Sequence, residues 1–262
     1  MAPKQRTQWM EIGSGTSYFH RTHRPLQCLV FITPLLLFYQ IGSLFHGWGV
    51  GGGRQATPEH VVAFRLLYDF FHIFGAAGSY MPLAAVIAVL LAWHLARKDP
   101  WDFEPKLYLG MSLESVLWAI PVFVIGLAIQ RHGAGGAAAA GISSGSGHLS
   151  WQSAVVISVG AGIYEELIFR LIAITLLNLI LVDILELKIA HAIPIILLVS
   201  ATLFAAYHKL GDIPVSASYF LFLMAFGVYS AGIFIFRGFG IAVGMHALYD
   251  LIAVAATLQR GQ

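Results

Sequence analysis

Apolar runs follow one another along the chain at about 26–46, 58–76, 80–96, 107–130, 152–181, 189–207, 217–236 and 241–258, bounded by charges, Gly or Pro. A hydrocarbon core about 30 Å thick takes roughly 20 residues of α-helix. Backbone polar groups inside lipid must be satisfied within the spanning segment, so runs of this length predict helices. The expected fold is an all-α, polytopic transmembrane helix bundle. The segment 58–76 differs from the others, because Arg65, Asp69 and His72 recur in it at helical spacing and Arg65 can pair with Asp69 one turn on. Such a helix either crosses or lies in the interface with its polar face wet. The runs therefore make eight spans if this segment crosses and seven if it does not.

Composition agrees with a membrane protein. The 262 residues are 58% hydrophobic and only 11% charged, where soluble domains carry about 25% charged residues. The organisation reads as one membrane domain: a polar segment 1–25, transmembrane helices over 26–130, a Gly/Ala/Ser-rich linker 131–150, and C-terminal transmembrane helices over 151–262. Lys4, Arg6, Arg21 and Arg24 precede the first apolar run, which is too long for a cleavable signal and reads as an uncleaved anchor. Counting Lys and Arg in the loops puts the N-terminus in the cytoplasm with either span number, and favours seven. A net charge of +2 spread along the chain supplies no basic stripe, which excludes nucleic acid as a partner. The single Cys28 cannot form an internal disulfide and reads as a packing residue.

Ionisable groups inside the C-terminal runs change the picture. Glu165, Glu166 and Arg170 lie within the run 152–181, and each ionised group at the bilayer centre costs about 2.5–3.5 kcal/mol. Three of them approach the stability of a whole domain, ~8–10 kcal/mol. Glu166 and Arg170 form an i,i+4 pair with the acid first, the better order, which leaves Glu165 free. Phe204 lies one turn before His208, and His246 one turn before Asp250. Each motif taken singly is weak, since a buried Glu–Arg pair or a lone helical histidine is more often structural. Together, three carboxylates, one guanidinium and two imidazoles leave at least one unbalanced negative charge, so a shared proton or a protonated histidine is required. Acid–base pairs of this kind suit general acid/base chemistry.

The ordered set Glu165-Glu166-x-x-x-Arg170, Phe204-x-x-x-His208 and His246-x-x-x-Asp250 resembles the signature of the CPBP family, the CAAX proteases and bacteriocin-processing enzymes also called Abi intramembrane proteases. The resemblance covers roughly 150–258; the first 130 residues carry no motif. It implies an eight-helix intramembrane endopeptidase that uses a glutamate-activated water, in the manner of type II CAAX prenyl endopeptidases, without an obligatory metal or other cofactor. It further implies Glu165 as general base, Glu166 and Arg170 as its orienting pair, and His208 as a second group positioning the water. His246 with Asp250 would stabilise the oxyanion, and Phe204 would bind substrate. The family's last motif ends in Asn or Asp, so Asp250 is either an acceptor for His246 or a proton partner. The implied partners are the lipid bilayer and a peptide or membrane-protein substrate, prenylated or not, and the implied location is a prokaryotic inner (cell) membrane.

One geometric difficulty accompanies this reading. His208 sits at a helix end, whereas His246 is five residues into a helix entered from the opposite face, so the two meet only if a helix is longer, tilted or broken. Gly238, Gly240, Gly211 and Pro214 are places for such a break.

Other signals carry less. Gly141-Ile142-Ser143-Ser144-Gly145 matches the serine-hydrolase elbow pattern but lies in the linker with no strand before it. No H-E-x-x-H occurs, although Glu165, His208 and His246 are ligand types that suit zinc. Glu114 is expected to reach the interface, with a supporting role at the site as the alternative. Two rival functions predict similar composition: a proton-coupled transporter, which should show internal repeats, and a non-catalytic membrane partner protein that keeps the fold.

Overall fold

The computed structural model describes residues 17–46, 61–73, 80–131, 150–210 and 215–260. Most of the polar N-terminal segment, the Gly-rich turn after the first span, the linker with its Gly141–Gly145 pattern, and Gly211 and Pro214 lie outside the described residues. Within them the secondary structure is helical throughout. The α-helices are α1 (Tyr18–Thr22), α2 (Pro25–Phe45), α3 (Val62–Ile73), α4 (Met81–Arg97), α5 (Pro105–Arg131), α6 (Trp151–Glu166), α7 (Ala173–Asn178), α8 (Ile189–Tyr207), α9 (Ala217–Arg237) and α10 (Phe239–Arg260). Two π-helical turns, Leu167–Ile172 and Leu179–Ile184, join and extend α6 and α7 into one run.

Helix starts follow local chemistry. Ser150 and Ser216 cap α6 and α9 by accepting hydrogen bonds from the backbone N–H groups of Ser153 and Tyr219. Pro25 opens α2 at a position where no donor is needed. At the other end of α9, Gly238 adopts φ +94°, a conformation that L side chains rarely take, and turns the chain directly into α10.

Among the described residues six helices are long and apolar enough to cross a bilayer: Pro25–Phe45, Pro105–Ala128, Trp151–Ile184, Ile189–Tyr207, Ala217–Arg237 and Phe239–Ala256. The expectation of eight differs by α4, with 17 residues, and α3, with 12, about 18 Å at 1.5 Å per residue. Leu109, Leu113, Leu117, Ile120 and Val124 of α5 are exposed, the face that lipid would cover. α10, by contrast, is buried along most of its length and packs against α2, α5, α6 and α9.

A polar cluster ties one end of the bundle together. Arg24 pairs with Asp102 at 3.1 Å, Gln27 donates to the same carboxylate at 2.6 Å, and Arg21 pairs with Glu104. Glu114 does not reach outward. It pairs with Arg237, 123 residues away, and accepts from the Tyr18 hydroxyl at 2.7 Å and Trp118 Nε1 at 3.0 Å. Burial and the Glu114 carboxylate push the Tyr18 phenol up from its ordinary pKa, which keeps it a donor. These contacts put the start of α2, the α4–α5 connection and the end of α9 at the same end of the molecule. α2 leaves that end and α4 returns to it, so α3 connects their far ends.

Candidate active site

Gly162 sets the approach of the two helices that carry most of the site. A Cβ built there would lie 2.7 Å from the backbone nitrogen of Ala247 and 2.9 Å from its Cα, so only glycine lets α6 and α10 touch backbone to backbone. That contact carries Glu165 and Glu166 past the ring of His246, one residue before Ala247.

His208 arrives by a different route. The run from Leu167 to Ile184 descends about 27 Å beyond Glu166, and the 19 residues of α8 climb about 28 Å back, at 1.5 Å per residue. The end of α8 therefore returns level with Glu165, and His208 opens a short 3-10 turn there. Of the anticipated breaks, Gly238 ends α9 and Gly240 lies within α10; the α6–α7 run adds two π turns, a feature that recurs at functional sites. Ser200 on α8 donates to the Phe169 carbonyl at 2.8 Å.

The six motif side chains that the sequence singled out, apart from Phe204, converge here. Arg170 Nε lies 3.2 Å from Glu166 Oε2, and both side chains have zero exposure. Glu166 Oε2 also accepts from the Ser230 hydroxyl at 2.7 Å, and Oε1 lies 2.8 Å from His246 Nδ1. A carboxylate held by arginine and serine is an acceptor, so Nδ1 of His246 is the donor and the ring's Nε2 faces the opposite way. Nε2 points toward Asp250 Oδ2 at 3.6 Å and Glu165 Oε2 at 3.9 Å. His208 has the same polarity: Nδ1 lies 2.8 Å from the Phe204 carbonyl oxygen, which can only accept, and Nε2 stands 3.9 Å from Glu165 Oε2.

Glu165 Oε2 is thus equidistant from two imidazole nitrogens, too far for direct hydrogen bonds and at the spacing one water bridges. Exposure separates the two glutamates. Glu166 and Arg170 are sealed, whereas Glu165, Asp250 and His208 retain side-chain exposures of 9%, 14% and 19%. The open edge of the cluster is the edge carrying Glu165. Ligands of zinc at about 2.0–2.1 Å would stand about 3.3 Å apart, closer than the 3.9 Å between Glu165 Oε2 and either imidazole. Among the described residues no group of three or more His, Cys, Asp and Glu side chains has metal-holding geometry.

Phe204 lies behind the site rather than at its opening. It is 1% exposed, stacks on Phe226, meets the His208 ring edge-on at 4.7 Å between centroids, and lies under the Arg170 guanidinium at 4.7 Å. Such a ring fixes imidazole and guanidinium planes.

Two polar residues at the site were not singled out from the sequence. Ser230 is a lone hydroxyl in an apolar run, and nothing in its spacing marks it. Tyr207, whose hydroxyl lies 3.4 Å from Glu165 Oε1, directly precedes His208, and that adjacency was the available signal.

Residues 147–252 match the family model described as type II CAAX prenyl endopeptidase Rce1-like. Among curated proteins and solved structures nothing matches. The match spans all three motifs and every helix that contributes a side chain to the cluster.

Proposed function

We propose, from the match of residues 147–252 to the Rce1-like type II CAAX prenyl endopeptidase model and from the apolar helices long enough to cross a membrane, in keeping with the CPBP resemblance, that this protein is an intramembrane endopeptidase in which Glu165 activates water. The observation that carries the reading is the equal 3.9 Å spacing from Glu165 Oε2 to His208 Nε2 and His246 Nε2 at the open edge of the cluster.

A water in that gap gives a proton to Glu165 Oε2 as its oxygen attacks the scissile carbonyl carbon. The carbonyl oxygen gains the electron pair. His246, doubly protonated, with its Nδ1–H held by Glu166 and Asp250 beside it, presents the Nε2 proton to that oxyanion; a preorganised donor of this kind is worth about 2.7–4 kcal/mol. The tetrahedral intermediate then expels the amine, which takes the proton back from Glu165, and Glu165 returns to its starting state. His208 Nε2 holds the water from the second side. Glu166 and Arg170 do not touch the reacting atoms; they keep His246 and the end of α6 in place. Phe204 acts through the rings it supports, not by contacting the peptide. No step in this scheme needs a metal.

The substrate is a peptide bond in a membrane protein or membrane-associated peptide, and a prenylated C-terminal peptide is the first class to try. The polar end of the bundle containing Arg21, Arg24 and Arg97 is the cytoplasmic end by the charge rule. With α2, α4, α5, the α6–α7 run, α8, α9 and α10 crossing and α3 lying in the interface, the chain spans a prokaryotic cell membrane seven times.

The test compares purified wild type with Glu165→Gln against farnesylated and unmodified peptides in detergent. Loss of cleavage by about 10²–10⁴-fold is expected of the variant. Equal cleavage by both proteins would remove Glu165 as the base.

A further inference from the structure

The two oxygens of Glu165 have different surroundings. Oε2 faces the imidazoles of His208 and His246, while Oε1 lies 3.4 Å from the Tyr207 hydroxyl. The Tyr207 ring is 7% exposed and packs between Phe169, at 5.0 Å between centroids, and His208, at 5.1 Å. Packing on both faces fixes where the hydroxyl points. The phenol's single O–H is the donor of the contact with Glu165 and the carboxylate the acceptor.

α3 is held in place by the same neighbourhood. Phe64 is 3% exposed and packs edge-on against Tyr164, at 5.2 Å between centroids, and against Tyr39 at 5.8 Å. Tyr164 is the residue before Glu165. The helix therefore packs on the side chain next in sequence to the glutamate.

We propose that Tyr207 is the positioning residue of the general base: its O–H occupies Oε1 of Glu165 and leaves Oε2 as the oxygen that meets water. The role rests on the peptidase reading above. It adds a side chain from an unspecified position of the second motif.

Tyr207→Phe keeps the ring and its packing and removes only the hydroxyl. Infrared difference spectra of protein carrying 13C-labelled glutamate identify the Glu165 band as the one missing in Glu165→Gln. That band shifts in Tyr207→Phe while the melting midpoint stays at the wild-type value. An unshifted band overturns the proposal, as does a melting midpoint that falls with it, which would make Tyr207 structural. Against a cleavable peptide, kcat drops on the order of tenfold, as expected for a lost hydrogen bond to a charged group, with KM within about twofold. A raised KM at unchanged kcat would assign Tyr207 to substrate binding and overturn the proposal too. A wild-type protein that cleaves nothing, or Glu165→Gln cleaving as well as wild type, removes the peptidase reading instead and takes this role with it.

Discussion

Glu166 lies 2.8 Å from Nδ1 of His246 through Oε1 while Oε2 faces Arg170, so one carboxylate both neutralises the guanidinium and aims the imidazole. The sequence left Asp250, one turn along the same helix, as either an acceptor for His246 or a proton partner. Asp250 approaches the other nitrogen, Nε2, at 3.6 Å. The ring is therefore oriented from α6 rather than from within α10, which makes the geometry of the last motif depend on the first.

Glu166→Gln should for this reason cost far more stability than Glu165→Gln. Removing the charge leaves Arg170 buried with no compensating anion in contact, a change worth about 3–5 kcal/mol. Thermal melting in detergent is expected to show a large drop for Glu166→Gln and little change for Glu165→Gln. Equal midpoints for the two variants would show that Glu166 does not carry the guanidinium.

Gly162→Ala should separate α6 from α10 at the level of the site. The added methyl meets backbone atoms of Ala247, which cannot rotate away as a side chain could. Overpacking of this kind costs about 1–3 kcal/mol, and the displaced helix carries Glu166 away from His246. Cleavage per folded molecule is expected to fall along with the melting midpoint. Full activity in folded Gly162→Ala would mean that the two helices tolerate a wider spacing than the cluster implies.

Chelation distinguishes a bare water from a metal-bound one. Cleavage is expected to survive extended dialysis against EDTA and to be insensitive to 1,10-phenanthroline. Activity lost on dialysis and restored by added zinc would reassign Glu165, His208 and His246 as ligands despite their 3.9 Å spacing.

Much of the cluster was legible because helical periodicity is local. Glu166 and Arg170, or His246 and Asp250, share a face by spacing alone, and charged groups in apolar runs stand out against their background. What could not be read depends on partners far along the chain. The acceptor of His246 is 80 residues away and the partner of Glu114 is 123 residues away. No periodicity within one helix reveals such pairings. Ser230 and Tyr207 were silent for another reason: a lone hydroxyl in an apolar helix satisfies itself against its own backbone as easily as against a neighbour. The meeting of His208 with His246 was hidden because π turns leave no mark in apolar spacing, and the continuation of the α6 run to Ile184 was legible only as hydrophobicity.

The Glu166–Arg170 pair closes within a single turn of its own helix, and this matters during biosynthesis. When that segment leaves the ribosome, α8, α9 and α10 do not yet exist, so His246, Ser230 and Phe204 cannot help it. The acid and the guanidinium can nevertheless cancel one another at once, and the nascent segment enters the bilayer with Glu165 as the unmatched acid in its middle. A glutamate whose partners are made last can meet them as a free carboxyl, so the reactive residue matures only when the final helix is threaded.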